Sequence, residues 1–535
     1  MRKHKILHAL LALFVLVTTA CSPAQEAAPQ DGSQPGSGSA PSAAAGKQEK
    51  LRVAISVSPP SLDLLKTTAV AAVQIGWHIF ESLVTLDEQY QVAPLLAETI
   101  DVSEDGKKIS FTLREGLKFH NGKDVTTDDV IASLNRWKEL SNNGKASIEH
   151  AVITAKDSRT IEIALDSAGP SSQFVLSSMA FPQQGAAIMP KEVIEAADDT
   201  GVKEYIGTGP FKFVEWKQDQ YIHLQKYDGY LPVDQPPSGR AGKKQALVND
   251  LYFIPVTDAA TRVAGIQSGE YDFTDDIPID NYDLVKDDPN LEASISKPRR
   301  WLGLMFNNKS RLFANKKARQ AVNAGLDLDT VMMAATGNPE FYRLDHGLMY
   351  PEQVWYVEDG KEQYNQKDTE KAKQLLAEAG YKGEPITILG TRDYEFLYKA
   401  AVVVKDQLEK LGATVNLEIY DWPTLIQKRS DDKVWDIYFT YFPIYTNPTQ
   451  PIFLDSRNQY AGWYNNPRMD QLLDQIRASA SFDEQKALFR QVQSLFWDDV
   501  PAIKLGDMHG LSAYRKNLKG YHYFYDTSFW NVSLE

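Results

Sequence analysis

The chain has 535 residues, a single cysteine at position 21 and a formal net charge of −14. One thiol excludes an intramolecular disulfide framework, and an acidic balance argues against nucleic acid as a partner, because binding phosphates draws on concentrated Lys and Arg. Stability must come from apolar burial, and the length is enough for two or more domains.

Residues 1–20 carry Arg2, Lys3 and Lys5, then an apolar run from Leu10 to Val17 and small residues before Cys21. That is the layout of a secretory signal, too short for a spanning helix. The stretch Val17-Thr18-Thr19-Ala20-Cys21 resembles a bacterial lipobox, with Thr18 where Leu is usual, and so implies lipidation of Cys21 and a lipid anchor to a membrane. Cleavage removes three basic residues and no acid, taking the formal charge to −17. Residues 21–49, rich in Ala, Ser, Gly, Pro and Gln, cannot bury enough apolar surface to fold and are expected to form a flexible tether.

Residues 51–57 alternate as a strand, a Pro-rich loop ends at Asp63, and residues 69–83 read as an apolar helix. Further on, Ile109, Phe111 and Leu113 alternate with Ser110, Thr112 and Arg114, the period of a half-buried strand. Turns follow at Glu115-Gly116 and Asn121-Gly122. Thr126 is placed to cap a helix with Asp128 and Asp129 in its first turn and Ile131, Leu134 and Trp137 as its apolar stripe.

Five submotifs run through this region in order: Phe80-Glu81-x-Leu83, Pro94-x-Leu96-Ala97-Glu98, Ser103-x-Asp105-Gly106, Leu113-Arg114-x-Gly116-x-x-Phe119-His120 and Thr126-x-x-Asp129-Val130. Their order and spacing resemble the signature region of the peptide/nickel-type (family 5) extracellular solute-binding proteins of bacterial ABC importers. Residues 207–216, 315–327 and 369–381 keep to the same pattern, so the resemblance runs from about Leu51 to the C-terminus. It implies an α/β, two-lobed fold of the periplasmic-binding-protein type II kind with an extra domain inserted in lobe one. Residues 50–80, 204–297 and 505–535 would form lobe one, 81–203 the insertion and 298–504 lobe two. The implied activity is capture of a small extracytoplasmic solute by hinge closure and delivery to an ABC permease, as a monomer, with no enzyme chemistry and no cofactor.

The remaining elements fit that plan. Gly207-Thr208-Gly209-Pro210 is read as a turn, since no helix N-terminus follows to hold a phosphate. A strand pair (211–216, 221–226), then a strand, a helix and a strand (251–255, 257–268, 271–273), lead to a crossing near 298–301 and an opening strand at 301–307. Asp368 or Thr369 caps a helix, and residues 386–389, 395–411 and 415–420 make a βαβ unit. Ligands in open α/β sheets lie beyond the carboxyl ends of strands, which here lead into residues 390–394 and 421–422. A strand at 435–441 opens into 442–448, two helices span 469–479 and 483–498, and 501–514 returns to lobe one.

Catalytic motifs are missing. The histidines after residue 20 have no metal-ligand spacing, there is no GxSxG elbow or GxxxxGK[ST] loop, and adjacent acids more often cap helices than act as an acid/base couple. Aromatic residues crowd residues 422–464. Most rings of a large α/β lobe fill its core, but similar proteins line the ligand cavity with the matching segments of lobe two. On that resemblance Trp422, Arg429, Phe442, Tyr445 and Arg392 are the candidate ligand-binding residues; for Arg429 the competing reading is an ion pair with Asp431 or Asp432. In peptide-binding members an Asp just past the strand at 435–441 anchors the α-amino group. Residues 442–448 hold no acid, and Tyr445 is the closest match. An oligopeptide therefore stands beside an opine, an oligosaccharide or another modified ligand, unless Asp393 or Asp421 takes over the anchor. A secreted hydrolase or a chaperone-like lipoprotein is the alternative of another class.

Overall fold

The structure, a computed structural model, describes residues 50–167 and 169–535; the signal, Cys21 and the tether lie outside the described residues. A large mixed sheet organises the chain. At one end Lys50–Ile55 pairs in parallel with Asp250–Pro255 and with Phe273–Thr274. The hairpin of Phe211–Lys217 and Tyr221–Lys226 extends that edge. At the other end Ile386–Thr391 lies parallel to both Val415–Tyr420 and Ile437–Pro443, with the helix Glu395–Lys410 crossing between, so the expected βαβ unit is present.

Two long antiparallel strands join these ends, Leu291–Phe306 and Ala502–Arg515. The last part of Ala502–Arg515 pairs with Phe273–Thr274, the second half of Leu291–Phe306 pairs with Ile437–Pro443, and the two long strands pair with each other along their length. The strand expected to open at 301 thus begins ten residues earlier. Pro298 hides it in the sequence, because proline cannot donate to a ladder. The chain accommodates it with a register shift between Ser296 and Arg300.

A separate four-stranded sheet forms from Ala97–Val102, Lys108–Leu113, Thr160–Ala164 and Val152–Ala155. Strand Lys108–Leu113 alternates buried and open positions as its sequence dictates. The helix Thr127–Leu140 packs on it, and Thr126 and Asp129 exchange hydrogen bonds in a capping box. Its Arg136 donates to buried Asp63, which also accepts from the amides of Leu65 and Val202. The Pro-rich loop, the inserted layer and residue 202 are thereby fastened together. Asp63 is held below the usual carboxylate range: burial pushes it up, but Arg136 and those amides outweigh the push.

Two expectations change. The helix at 69–83 is shorter, Val70–Ile79, because Gly209 donates to the Ile79 carbonyl at its end (2.8 Å). The Gly-Thr-Gly-Pro turn seals that terminus, and a Cβ at Gly207 or Gly209 would collide with backbone of residues 78–80. Residues 422–428, read as loop, form the helix Trp422–Lys428 with Asp421 as N-cap and Pro423 in the first turn. His78 is structural: its Nδ1 faces the Gln74 carbonyl and its Nε2 accepts from the Phe529 amide, and burial pushes its pKa down to about 3. Among the described residues no helix is long and apolar enough to cross a membrane.

Candidate functional site

A cleft of about 330 Å³ opens where the two long strands cross. The crossing strands contribute Ser296, Arg299, Arg300 and Ser512. The first helix brings Val70, Val73 and Gln74, and strand Ile437–Pro443 with its exit brings Tyr441, Pro443 and Ile444. Tyr523, Tyr525, Asp526 and Thr527 close it from the C-terminal segment. A second cavity of about 260 Å³ shares Arg299 and Arg300 and is lined further by Asp276, Phe396, Lys399 and His509. Around the cleft, the inserted layer meets residues that follow the crossing: Ser171 donates to the Arg477 carbonyl (2.7 Å) and Val354 to that of Gln89 (3.3 Å).

The wall is strongly charged. Arg299 pairs with Asp276 at 2.6 Å, and Asp276 also accepts from Ser56. Burial pushes Asp276 up, but Arg299 and Arg300 hold it below the usual range. Neighbouring Asp275 is buried with one oxygen taken by Gln74 Nε2 (3.0 Å) and the other without a partner. Burial and the Asp276 charge raise it to about 6. Asp526 is paired with Arg240 at 2.7 Å. Arg300 lies over the Tyr441 ring at 4.8 Å and near Phe396 at 5.9 Å. Among the described residues no group of acids, histidines or cysteines could hold a metal ion.

None of the five candidates from the sequence is among the residues that line this cleft. Tyr441 and Pro443 line the cleft, and Phe442, one residue out of phase on the same strand, is buried against Trp301 (4.5 Å) and Phe453 (4.9 Å). Tyr445 is buried in the same layer, 6.4 Å from Phe442. Arg429 sits on the rings of Tyr438 and Tyr460 (5.5 and 5.3 Å) and makes no ion pair with Asp431 or Asp432. Trp422 stands one row back, edge-on to Tyr394, which in turn meets Tyr441. Arg392 is exposed and lies against its own neighbour Tyr398 (4.7 Å). Structure thus groups Phe442, Tyr445 and Arg429 in an aromatic layer behind the wall, reaches Trp422 through Tyr394, and leaves Arg392 apart. Sequence reasoning missed Arg299, Arg300, Tyr523 and Tyr525. The signal for the first two was present: two adjacent cations just before the apolar run 301–306.

A mixed α/β fold with a cleft beside its two long strands is the architecture of a solute-binding protein. The chain belongs to the bacterial extracellular solute-binding proteins, family 5, whose middle-region model matches residues 91–465. It is 33% identical over 487 residues to a probable peptide ABC transporter periplasmic-binding protein of Sinorhizobium fredii, covering 86% of this chain and 88% of that protein. The oligopeptide-binding protein AppA of Bacillus subtilis is 26% identical over 89% of this chain and 90% of its own. Its structure with a nonapeptide superposes with a TM-score of 0.70 at 25% identity, covering 91% of this chain and 99% of that one. AgaA with agropinic acid, from Agrobacterium tumefaciens R10, gives 0.70 at 24% identity, over 91% of this chain and 99% of AgaA. The chain is therefore the extracytoplasmic substrate-binding component of an ABC transporter, a transport receptor and not an enzyme.

Proposed function

We propose that the cleft at the crossing strands captures a peptide or peptide-like solute and that the two lobes close over it for delivery to a membrane permease. The observation that carries this reading is the cleft itself. It is built from both ends of the sheet, with the hinge strands as its floor, and its 330 Å³ is within the range for small-ligand sites. The lobe boundaries read from the sequence, with 298–504 as lobe two, go with this proposal. A solute that touches both lobes favours the closed form, and only that difference in affinity shifts the population the permease meets. Names of relatives span oligopeptides, glutathione and agropinic acid, so the shared demand is a compact polar solute rather than one fixed backbone.

In this reading Tyr441, Tyr523 and Tyr525 offer ring faces and hydroxyls, while Trp422, Phe442 and Tyr445 set the wall behind them. Arg429 stiffens that layer, and Arg392 acts at the rim. Lipidation of Cys21 would hold the receptor at the membrane surface, supported by the lipobox-like sequence before it. Native mass spectrometry of freshly purified protein tests the reading: a small solute released unchanged on denaturation is expected. A product differing from the bound species would point to a hydrolase, and repeated absence of any retained or added solute would return the chaperone-like alternative.

A further inference from the structure

Most cations around the cleft have a fixed partner in the protein. Arg299 is held by Asp276, Arg240 by Asp526, and Lys244 by Glu81 at 3.5 Å. Arg262 spends its guanidinium on the carbonyls of Val256, Thr257 and Asp276. Arg300 has neither an ion pair nor a hydrogen bond among the described residues. Its protein contacts are the rings of Tyr441 and Phe396. A guanidinium carries five N–H donors, and leaving them without acceptors in a half-buried site is costly.

We propose that Arg300 is the cleft's receptor for a carboxylate of the solute, an inference that rests on reading this cleft as the transport site. Strand register carries the placement. Arg300 pairs with Pro443 across the ladder and lies diagonal to Tyr441, so all three share the face that lines the cleft, while Trp301 and Phe442 share the other. The ring contact fixes the plane of the guanidinium and leaves its edge free for two parallel N–H···O bonds. Ser296 and Ser512, whose hydroxyls have no protein partner, line the same wall. A planar carboxylate matches the two parallel donors of a guanidinium edge. Burial and the adjacent Arg299 lower the affinity of Arg300 for its proton, consistent with a cation short of counter-charge. The acid could be the C-terminus of a short peptide or the carboxylate of an opine; the chemistry received is the same.

The test uses the mature full-length protein, with equilibrium dialysis and mass spectrometry of a pooled tri- to pentapeptide library. The same library with amidated C-termini runs in parallel, together with a set of opines and their methyl esters. Wild type is expected to prefer the free acids of one set by roughly 10- to 100-fold, the usual scale for a charge-assisted pair. R300Q should erase that preference, R300K should restore part of it, and the solute-free R300Q protein should melt no lower than wild type. Peptide acids retained identify the C-terminus as the group received, and opine acids retained identify the other source. Equal retention of acids and amides or esters, or an R300Q protein that keeps the preference, overturns the role of Arg300 and leaves the transport reading intact. A fall of several degrees in the melting temperature of solute-free R300Q overturns it too, in favour of a structural role. No retention in any set overturns both.

Discussion

Replacing Asp275 by Asn should stabilise the protein by an amount that grows from about pH 4 to about pH 6 and is constant above that. Asp275 is 4% exposed, has one oxygen on Gln74 and the other on nothing, and sits beside Asp276. Burial and that neighbour raise its pKa from 3.8 to about 6. A carboxyl raised on folding binds its proton more tightly in the folded state, so stability falls as pH rises from about 4 to about 6 and the penalty is complete above that window. Two units correspond to about 3 kcal/mol. The charge is also shared with the Asp276–Arg299 pair, and relaxation recovers part of the cost, so about 1–2 kcal/mol is the expected gain of D275N at pH 7.5. Asn keeps an acceptor for Gln74 Nε2, so at about pH 3, where Asp275 is protonated in both the folded and the unfolded state, the two proteins should unfold alike. Urea unfolding followed by circular dichroism at both pH values measures the difference. A gain of equal size at both, or a loss at pH 7.5, would refute the assignment of a strained, buried charge to this position.

Other perturbations separate wall, core and anchor. Phe442→Ala should cost about 3–5 kcal/mol of stability through the cavity it leaves against Trp301 and Phe453, whereas Tyr441→Ala, on the cleft face, should lower solute affinity more than stability; thermal melts beside calorimetry compare them, and the reverse pattern would mean the strand faces are misassigned. Asp63→Asn should cost about 3 kcal/mol at neutral pH by leaving Arg136 buried without its counter-charge. In wild type the stability that this depressed carboxyl contributes is present above its unfolded pKa and lost on acidification through its folded one. A loss for D63N that did not shrink in acid would show Asp63 acting by shape alone. Cys21→Ser should abolish metabolic incorporation of labelled fatty acid, and persistent label would remove Cys21 as the anchor.

Much of the fold was legible because local signals agreed with the tertiary outcome. Thr126 and Asp368 cap helices as their sequences indicate, and the alternation at residues 109–113 survives as a half-buried strand. What failed did so where distant chain decides. Nothing near Phe80 stops the first helix; the stop comes from the amide of Gly209, far along the chain. Pro298 breaks the look of a strand whose pairing is supplied by residues 502–515. Asp421-Trp422-Pro423 was a readable helix start, passed over because the strand-end rule made it a loop.

The site shows the same division more sharply. The strand-end rule points to residues 390–394 and 421–422, whereas the strand that reaches the cleft is Ile437–Pro443, through Tyr441 and Pro443. Which side chains face the solute depends on register, a single-residue matter that a resemblance among distant relatives does not fix. Aromatic content then misleads, because the rings on the core face of that strand are as conspicuous as those on the cleft face. Charge misleads less. A guanidinium on a strand between apolar residues has few ways to be satisfied, and each can be counted once partners are known. Arg429 and Arg392 find rings away from the cleft wall, and Arg299 finds Asp276. Arg300, on the cleft face, is left over from that count, and in the proposed role its donors are satisfied only when a solute brings an acceptor.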